Sequence, residues 1–134
     1  MNYAPRILVV DDELTLRTFF DRILSEDGYS VDAVGTASQA LRALCDCTFE
    51  AALVDLSLPD GDGLELIRQM RAAAPNLSIL ATSGFLAGSM AHVVLAAGAT
   101  ATLAKPMTPD GLLDAVYRLL EPSGEWRGTQ AGAS

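Results

Sequence analysis

The stretch ALVDLSLPDGDG, residues 52–63, joins an apolar run to a cluster of turn residues, and one carboxylate, Asp55, stands between them. Continuous apolar runs of this kind are typical of strands in a parallel sheet that helices cover on both faces. Pro and Gly directly after such a run end the strand and turn the chain. The pattern therefore predicts a buried strand whose last residue, Asp55, brings a charge to the carboxyl edge of a parallel sheet.

Comparable runs recur along the chain and predict five strands. Four of them are continuous, whereas the run at residues 29–34 is weaker and alternates, which is typical of an edge strand. Helical patterns lie between the runs. The predicted strands are ILVV (7–10), YSVDAV (29–34), AALV (51–54), SILA (78–81) and ATLA (101–104), and the predicted helices cover residues 14–26, 36–46, 62–74, 88–97 and 109–120.

Local signals mark the ends of these helices. Thr36 and Thr108 precede two of them as N-caps. Asp62 precedes a third, with Glu65 three residues later, which is a capping-box arrangement. Gly28 ends the first helix. Strands that alternate with helices predict an α/β fold with a parallel sheet, right-handed crossovers and βα units.

Length and charge restrict the function. The 134 residues fit one domain, which we expect to span residues 1–120, followed by a polar tail at residues 121–134. Nine Lys and Arg residues oppose 17 Asp and Glu residues, which gives a net charge of −8. This balance argues against nucleic acid as a direct partner, because phosphate binding needs basic side chains. It is compatible with metal cations.

Nothing in the sequence predicts export or membrane insertion. The N-terminus lacks the layout of a signal peptide, and no apolar run approaches the roughly 20 residues of a membrane span. Cys45 and Cys47 form a C-x-C pair, a spacing that suits neither a disulfide nor a zinc site. Reduced thiols fit a cytoplasmic setting, which is the localisation we expect.

The residues that carry chemistry stand at the carboxyl ends of the predicted strands. Asp11 and Asp12 follow the first strand, and Asp55 ends the third. Ser83 ends the fourth strand and Lys105 the fifth. Because open parallel sheets bind their ligands at this edge, we expect these distant residues to converge there.

Three carboxylates at one edge repel one another and raise each other's pKa. A divalent cation relieves that repulsion, and ligands that are all oxygen favour a hard ion, Mg²⁺ or Mn²⁺. A Lys and a Ser hydroxyl opposite the acids can hold the oxygens of a bound anion. Such a set can stabilise a phosphoryl group in transfer, and a carboxylate can itself be the nucleophile, which gives an aspartyl phosphate.

Four motifs in order resemble the receiver domain of two-component response regulators, in its single-domain form. They are VVDDE (9–13), VDLSLPDGDGLEL (54–66), ATSG (81–84) and LAKP (103–106), and the resemblance runs from about Arg6 to Leu120. It implies a flavodoxin-like fold, a three-layer, doubly wound (βα)5 domain with a parallel five-stranded sheet in the order 2-1-3-4-5. It also implies a signalling switch that takes a phosphoryl group from a sensor histidine kinase or a histidine phosphotransfer protein. Such a switch is not an enzyme beyond its own phosphorylation and dephosphorylation.

The resemblance assigns a role to each motif residue. Asp55 is the phosphoacceptor, and Lys105 pairs with it and then with the phosphoryl group. Ser83 bonds a phosphoryl oxygen and shifts on activation. The expected ligands of Mg²⁺ or Mn²⁺ are the carboxylates of Asp12 and Asp55, that of Asp11 through water, and the main-chain carbonyl of Ser57.

Further positions tune the site or transmit the switch. Gly84 leaves access to the site, and the phosphoryl lifetime depends on Ser57 and on Phe85, whose bulk is expected to screen attacking water. The family usually has an aromatic residue three positions before the Lys, and its ring swings inward as the Ser moves. Thr102 stands at that position here, so Ser83 must be coupled to the outer surface by another route or only weakly. Pro59 and Gly63 are expected to shape the loop to the third helix.

The expected output passes by protein–protein contact through the face formed by the fourth helix, the fifth strand and the fifth helix. The segment of the fourth helix, GSMAHVVLAAG (88–98), has no Asp, Glu, Lys or Arg. This composition fits ordinary packing on the sheet, and it also fits an exposed patch for a downstream protein or a homodimer.

Two other classes use part of the same pattern. A phosphatase or phosphotransferase of the haloacid dehalogenase type would carry a second Asp two residues after the nucleophile, where Ser57 stands. A flavodoxin-like cofactor binder would need a Gly-rich or hydroxyl-rich phosphate loop after the first strand, where DDEL (11–14) would repel a phosphate. A receiver that forms one part of a longer regulator remains open as well.

Overall fold

A computed structural model describes residues 4–58, 61–84 and 89–121, and a parallel sheet of five strands lies at its centre. The strands are β1 (Arg6–Val10), β2 (Ser30–Val34), β3 (Ala51–Asp55), β4 (Ser78–Ser83) and β5 (Ala101–Ala104). Neighbouring strands pair in parallel, in the order β2-β1-β3-β4-β5. The predicted α/β fold and its strand order are confirmed.

Five helices form the outer two of the three layers. They are α1 (Leu14–Glu26), α2 (Ala37–Asp46), α3 (Gly63–Ala73), α4 (Ser89–Ala97) and α5 (Pro109–Leu119). Side chains of α1 and α5 share one hydrophobic cluster with the sheet, and those of α2, α3 and α4 share the cluster on the other face. Each helix begins and ends within one residue of its predicted bounds.

The central strands are buried on both faces, which explains their continuous apolar sequences. In β1, Ile7 and Val9 pack against α1 and α5, whereas Leu8 and Val10 pack against the helices on the other face. Burial of each such side chain stabilises the fold by about 1.5–3 kcal/mol. No residue of β2 is fully buried, which confirms its predicted place at the edge of the sheet.

The Pro- and Gly-rich stretch after β3 folds back on itself before α3 begins. Ser57–Leu58 pairs antiparallel with Gly61–Asp62. A Cβ atom on Gly63 would lie 2.5 Å from both Cα and O of Leu56, so a glycine is needed where the helix starts this close to the strand. Pro59 lies outside the described residues, and its part in shaping this turn stays a prediction.

The predicted helix ends are largely confirmed. Three helices begin with side-chain caps at the predicted residues, Thr36, Asp62 and Thr108. The capping box predicted at the start of α3 is wrong, because the Glu65 carboxylate lies 3.3 Å from the Arg68 guanidinium and accepts from it instead. Gly28 follows α1 with φ +98, a conformation that glycine adopts readily.

Arg71 of α3 ties its own helix to the far end of α4. Its Nε and Nη2 donate to the carbonyl oxygen of Gly98 at 3.1 and 2.8 Å. Its Nη1 donates to the carbonyl oxygens of Leu77 at 2.6 Å and Pro75 at 3.0 Å. One guanidinium thus joins the α3–β4 loop to the α4–β5 turn.

In the part of the chain that the structure describes, no helix is long and apolar enough to span a bilayer. The expected tail lies outside the described residues apart from Glu121, so the boundary placed after residue 120 stays a prediction.

Candidate functional site

Three carboxylates meet where β1 and β3 end. Asp11 and Asp12 directly follow β1, and Asp55 is the last residue of β3. The two strands are neighbours, with Val10 paired to Val54, so their ends lie side by side. One carboxylate oxygen from each acid lies within 4.8 Å of the other two. The structure therefore brings together the three acids that the sequence singled out.

Backbone N–H groups orient two of the three carboxylates. The N–H of Glu13 donates to Asp11 Oδ1 at 3.0 Å, and the N–H of Ser57 donates to Asp55 Oδ1 at 3.1 Å. In both cases the donor lies two residues after the acid, which is a local turn that fixes the side chain. Asp11 and Asp55 are buried, at 1% and 5% exposure, whereas Asp12 is exposed.

Lys105 reaches the acids from the end of β5. Its Nζ lies 3.0 Å from Asp11 Oδ2 and 3.5 Å from Asp55 Oδ2. Its backbone N–H donates to the carbonyl oxygen of Ser83 at 2.9 Å, which aligns the end of β5 with the end of β4. The peptide bond to Pro106 is cis. The Lys105 ammonium thus lies between Asp11, which follows β1, and Asp55, which ends β3.

Burial is the largest influence on Asp55, and it raises the pKa of this carboxyl above its ordinary value. The N–H of Ser57 lowers that pKa, the negative charge of Asp11 raises it, and Lys105 lowers it, so the net direction is upward. When all three acids are ionised they carry −3 and Lys105 carries +1, which leaves −2 at the site. A hard donor set with this charge fits one Mg²⁺ or Mn²⁺. The carbonyl of Ser57 as a further ligand stays a prediction.

The end of β4 adds a hydroxyl and an open approach. Asp55 pairs with Thr82 across the β3–β4 ladder, and the next residue, Ser83, is 6% exposed. Gly84 follows in an exposed turn, where a Cβ atom would meet no atom of the described residues within 4 Å. Phe85 lies outside the described residues, so its predicted screening of the site stays untested.

Thr102 lies within the edge strand β5, where it pairs with Ala81 of β4 and is half-buried. Both side chains are small. Coupling of Ser83 to the outer surface through β4 and β5 would therefore have to work without an aromatic side chain at position 102, as the sequence predicts.

An apolar groove of about 440 Å³ opens beside Lys105, between α1 and the β5–α5 loop. The described residues that line it are Leu16, Phe19, Gly84, Lys105, Pro106 and Met107. Sequence reasoning did not identify Leu16 and Phe19 as site residues. An amphipathic helix shows the same periodicity whether its partly buried residues line a groove or only pack on the core.

Arg17 is a second neighbour of the site that sequence reasoning missed. Its Nη1 donates to the main-chain carbonyl of Asp11 at 3.0 Å. A charged side chain on an amphipathic helix usually faces solvent, and no motif of the sequence marks this contact.

Comparisons with known proteins agree with this geometry. The family model described as the response regulator receiver domain matches residues 7–117. The alginate biosynthesis transcriptional regulatory protein AlgB of Pseudomonas putida is 36% identical over 116 residues, which cover 87% of this chain and 26% of AlgB. The chain thus spans about a quarter of the length of this curated relative.

Solved structures show the same fold. A CheY-like response regulator receiver domain protein from Methanospirillum hungatei JF-1 has a TM-score of 0.84 and 31% identity, with coverage of 88% of this chain and 94% of that one. A response regulator from Burkholderia pseudomallei, with a phosphorylated aspartic acid, a calcium ion and citrate, has a TM-score of 0.79 and 27% identity. That similarity covers 96% of this chain and 69% of the Burkholderia chain.

The family match extends over all four strand-end motifs and favours a signalling switch over the haloacid dehalogenase type and the cofactor binder. The open edge of the sheet holds the acids and the lysine that the resemblance required. The chain belongs to the response regulator receiver domain family.

Proposed function

We propose that this chain is a phosphorylation-activated switch in which Asp55 accepts a phosphoryl group from a phosphohistidine. The observation that carries the proposal is the position of Asp55, beside Asp11 and Asp12 and within 3.5 Å of Lys105. The phosphorylated aspartic acid in the Burkholderia pseudomallei regulator supports it. We place the receiver at residues 1–120, in a cytoplasmic protein.

The chemistry follows from what each group can donate or accept. Oδ1 of Asp55 accepts from the Ser57 N–H, so Oδ2, on the side of Lys105, is the oxygen that attacks phosphorus. The bond between phosphorus and the donor imidazole nitrogen breaks, and its electron pair stays on the imidazole. The Lys105 ammonium and the Ser83 hydroxyl then hold phosphoryl oxygens.

Mg²⁺, with Mn²⁺ as a substitute, would be held by the acid cluster and the Ser57 carbonyl, and it supplies positive charge that offsets the carboxylates and the phosphoryl oxygens. The same residues promote later hydrolysis of the aspartyl phosphate. By the resemblance to the receiver family, its rate depends on the residues at three positions, which are Ser57, Gly84 and Phe85 in this chain.

The donor is a sensor histidine kinase or a histidine phosphotransfer protein, and the apolar groove beside Lys105 is where it docks. A donor histidine that reaches Asp55 brings its own surface over the adjoining groove, which Phe19 and Met107 line. Leu14, the first residue of the same helix α1, is 66% exposed. Burial of such side chains by a partner supplies docking energy that is independent of the chemistry.

The downstream partner, or a second copy of the chain, binds the face of α4, β5 and α5. Val93 on α4 is 44% exposed and offers an apolar side chain on one of these elements.

The test is incubation with acetyl phosphate and Mg²⁺, followed by intact-mass spectrometry. Asp55 takes the phosphoryl group, the bond to the acetyl oxygen breaks and acetate leaves. We expect one phosphoryl adduct in the wild type, and none in Asp55→Asn or with EDTA. Asp62→Asn is the matched control, since Asp62 is an exposed helix cap and Asn is an equally good cap. A wild type that forms no adduct would contradict the proposal.

A further inference from the structure

Asp12 differs from the other two acids of the cluster in what holds it. Asp11 and Asp55 each accept a backbone N–H and lie close to Lys105. The Asp12 carboxylate is exposed, and among the described residues it makes no hydrogen bond or ion pair. The orientation of the Asp12 side chain therefore depends on the position of its own backbone.

Arg17 contacts that backbone. Its Nη1 donates to the carbonyl oxygen of Asp11 at 3.0 Å. This oxygen lies in the same rigid peptide plane as the nitrogen of Asp12, so fixing it fixes where the Asp12 side chain starts. On the other side, the N–H of Asp11 donates to the carbonyl of Val34 at 3.1 Å. The loop that carries the two acids is thus held from α1 and from β2.

Gly35 makes room for the guanidinium. A Cβ atom at this position would lie 2.8 Å from Arg17 Nη1 and 3.9 Å from the carbonyl oxygen of Asp11. Among the described residues Arg17 has no acidic partner within ion-pair distance. Its hydrogen-bonding capacity at this place is therefore directed at the backbone of the acid loop rather than at a carboxylate.

We infer that Arg17 is a positioning residue that holds Asp12 in the orientation for metal binding. The inference rests on the proposed Mg²⁺ site. Two effects of the guanidinium oppose each other: its hydrogen bond orders Asp12, whereas its charge repels a cation. Salt screens the repulsion between partly exposed charges and leaves the hydrogen bond in place, so the two effects separate at high ionic strength.

The test measures Mn²⁺ binding by titration calorimetry in about 0.5 M NaCl, where the screening length is well below 10 Å. We expect Arg17→Met to weaken Mn²⁺ binding about threefold to tenfold. This is at or below the low end of the affinity loss, about 10–100-fold, that follows removal of a residue hydrogen-bonded to a metal-ligating side chain. Arg22→Met is the matched control on the same helix, because the Arg22 side chain is exposed and pairs only with Glu26 among the described residues. It should bind Mn²⁺ like the wild type.

Gly35→Ala is a second variant that keeps the Arg17 charge and displaces its guanidinium. We expect weaker Mn²⁺ binding at low and at high salt, and a double variant that loses no more than Arg17→Met alone, because both changes break one contact. Adduct formation from acetyl phosphate should need more Mg²⁺ for half its maximal rate. At saturating Mg²⁺ the maximal rate should stay within about twofold of the wild type, since a change that only weakens binding leaves the later step intact.

The possible outcomes separate the two proposals. A wild type that binds no Mn²⁺ contradicts the proposed metal site itself. A wild type that binds Mn²⁺, together with Arg17→Met and Gly35→Ala variants of equal or higher affinity in high salt, overturns the role of Arg17 and leaves the metal site standing. A lower maximal rate at saturating Mg²⁺ would also overturn it, because the defect would then lie beyond metal binding.

Discussion

At the scale of single residues, the proposed function of Asp55 opposes the stability of the fold. Its carboxylate is buried beside Asp11, and both features favour its neutral form. The folded protein therefore binds a proton at Asp55 more readily than the unfolded chain does. As the proposed nucleophile, Asp55 would gain reactivity from its poor solvation and from the neighbouring acids, and the same features are unfavourable for folding in the absence of a cation.

The substitution Asp55→Asn should stabilise the metal-free protein near pH 7. Because the folded-state pKa of Asp55 is raised, the wild type loses stability as the pH rises through that pKa, and the Asn variant does not. The advantage of the variant should shrink as the pH falls toward the ordinary pKa of Asp, near 4. Urea unfolding in EDTA at several pH values measures it, with Asp62→Asn as the control. A less stable Asp55→Asn protein near pH 7 would contradict the argument.

Gly63 is a residue whose absent side chain matters. Gly63→Ala would place a Cβ atom 2.5 Å from the Leu56 backbone, so either the strand end or the start of α3 must move. We expect a loss of about 2–3 kcal/mol in the free energy of unfolding, in the upper part of the usual range of about 1–3 kcal/mol for forced overpacking. Gly84→Ala is the control, because its Cβ atom would meet no atom within 4 Å in the part of the chain that the structure describes. Equal stabilities of the two variants by urea unfolding would be inconsistent with this steric reason.

At the scale of elements, Arg71 joins α3 to the neighbouring loops by a cluster of hydrogen bonds rather than by hydrophobic packing. The guanidinium serves carbonyl oxygens at the end of α3, in the α3–β4 loop and at the end of α4. Burial lowers the pKa of Arg71 from its usual value, and its donors are well satisfied in return. Loss of the guanidinium would leave several carbonyls without that donor at once.

Arg71→Ala should therefore lower the free energy of unfolding by about 2–3 kcal/mol, as expected when a charged donor to several partly buried acceptors is removed. Arg68→Ala, on the same helix, removes only an exposed pair with Glu65 and should change stability by less than about 1 kcal/mol. Thermal and urea unfolding of both variants compare the two effects. Hydrogen exchange should show the α4–β5 turn of Arg71→Ala opening before the rest of the sheet.

At the scale of the whole molecule, much of the fold was predictable because strands that are buried on both faces of the sheet have continuous apolar sequences. β1 and β3 read as continuous apolar runs since every position in them meets a helix or the neighbouring strand. The site was predictable for a related reason: parallel strands bring their carboxyl ends to one edge, so Asp11 and Asp55 had to meet.

Contacts between a side chain and a distant backbone were not predictable. Arg71 reaches Gly98, 27 residues away, and no periodicity encodes such a bond. Glu65 matched the capping box by spacing, yet Arg68 one turn later competes for its carboxylate. Such choices depend on rotamers that tertiary packing selects, which a linear pattern does not contain.

Metal binding should stabilise the whole fold, because the acids come from the ends of two central strands and unfolding separates them. At a Mg²⁺ concentration of ten times the dissociation constant, the free energy of unfolding should rise by about 1.4 kcal/mol. The net charge of −8 means that any salt helps by screening, so NaCl at matched ionic strength is the reference for urea unfolding. Asp12→Asn should remove most of the Mg²⁺ increment and keep the NaCl effect, since it deletes one carboxylate of the cluster and no hydrogen bond of the described fold. An increment that survives both Asp12→Asn and EDTA would mean that the stabilisation comes from general screening and not from this site.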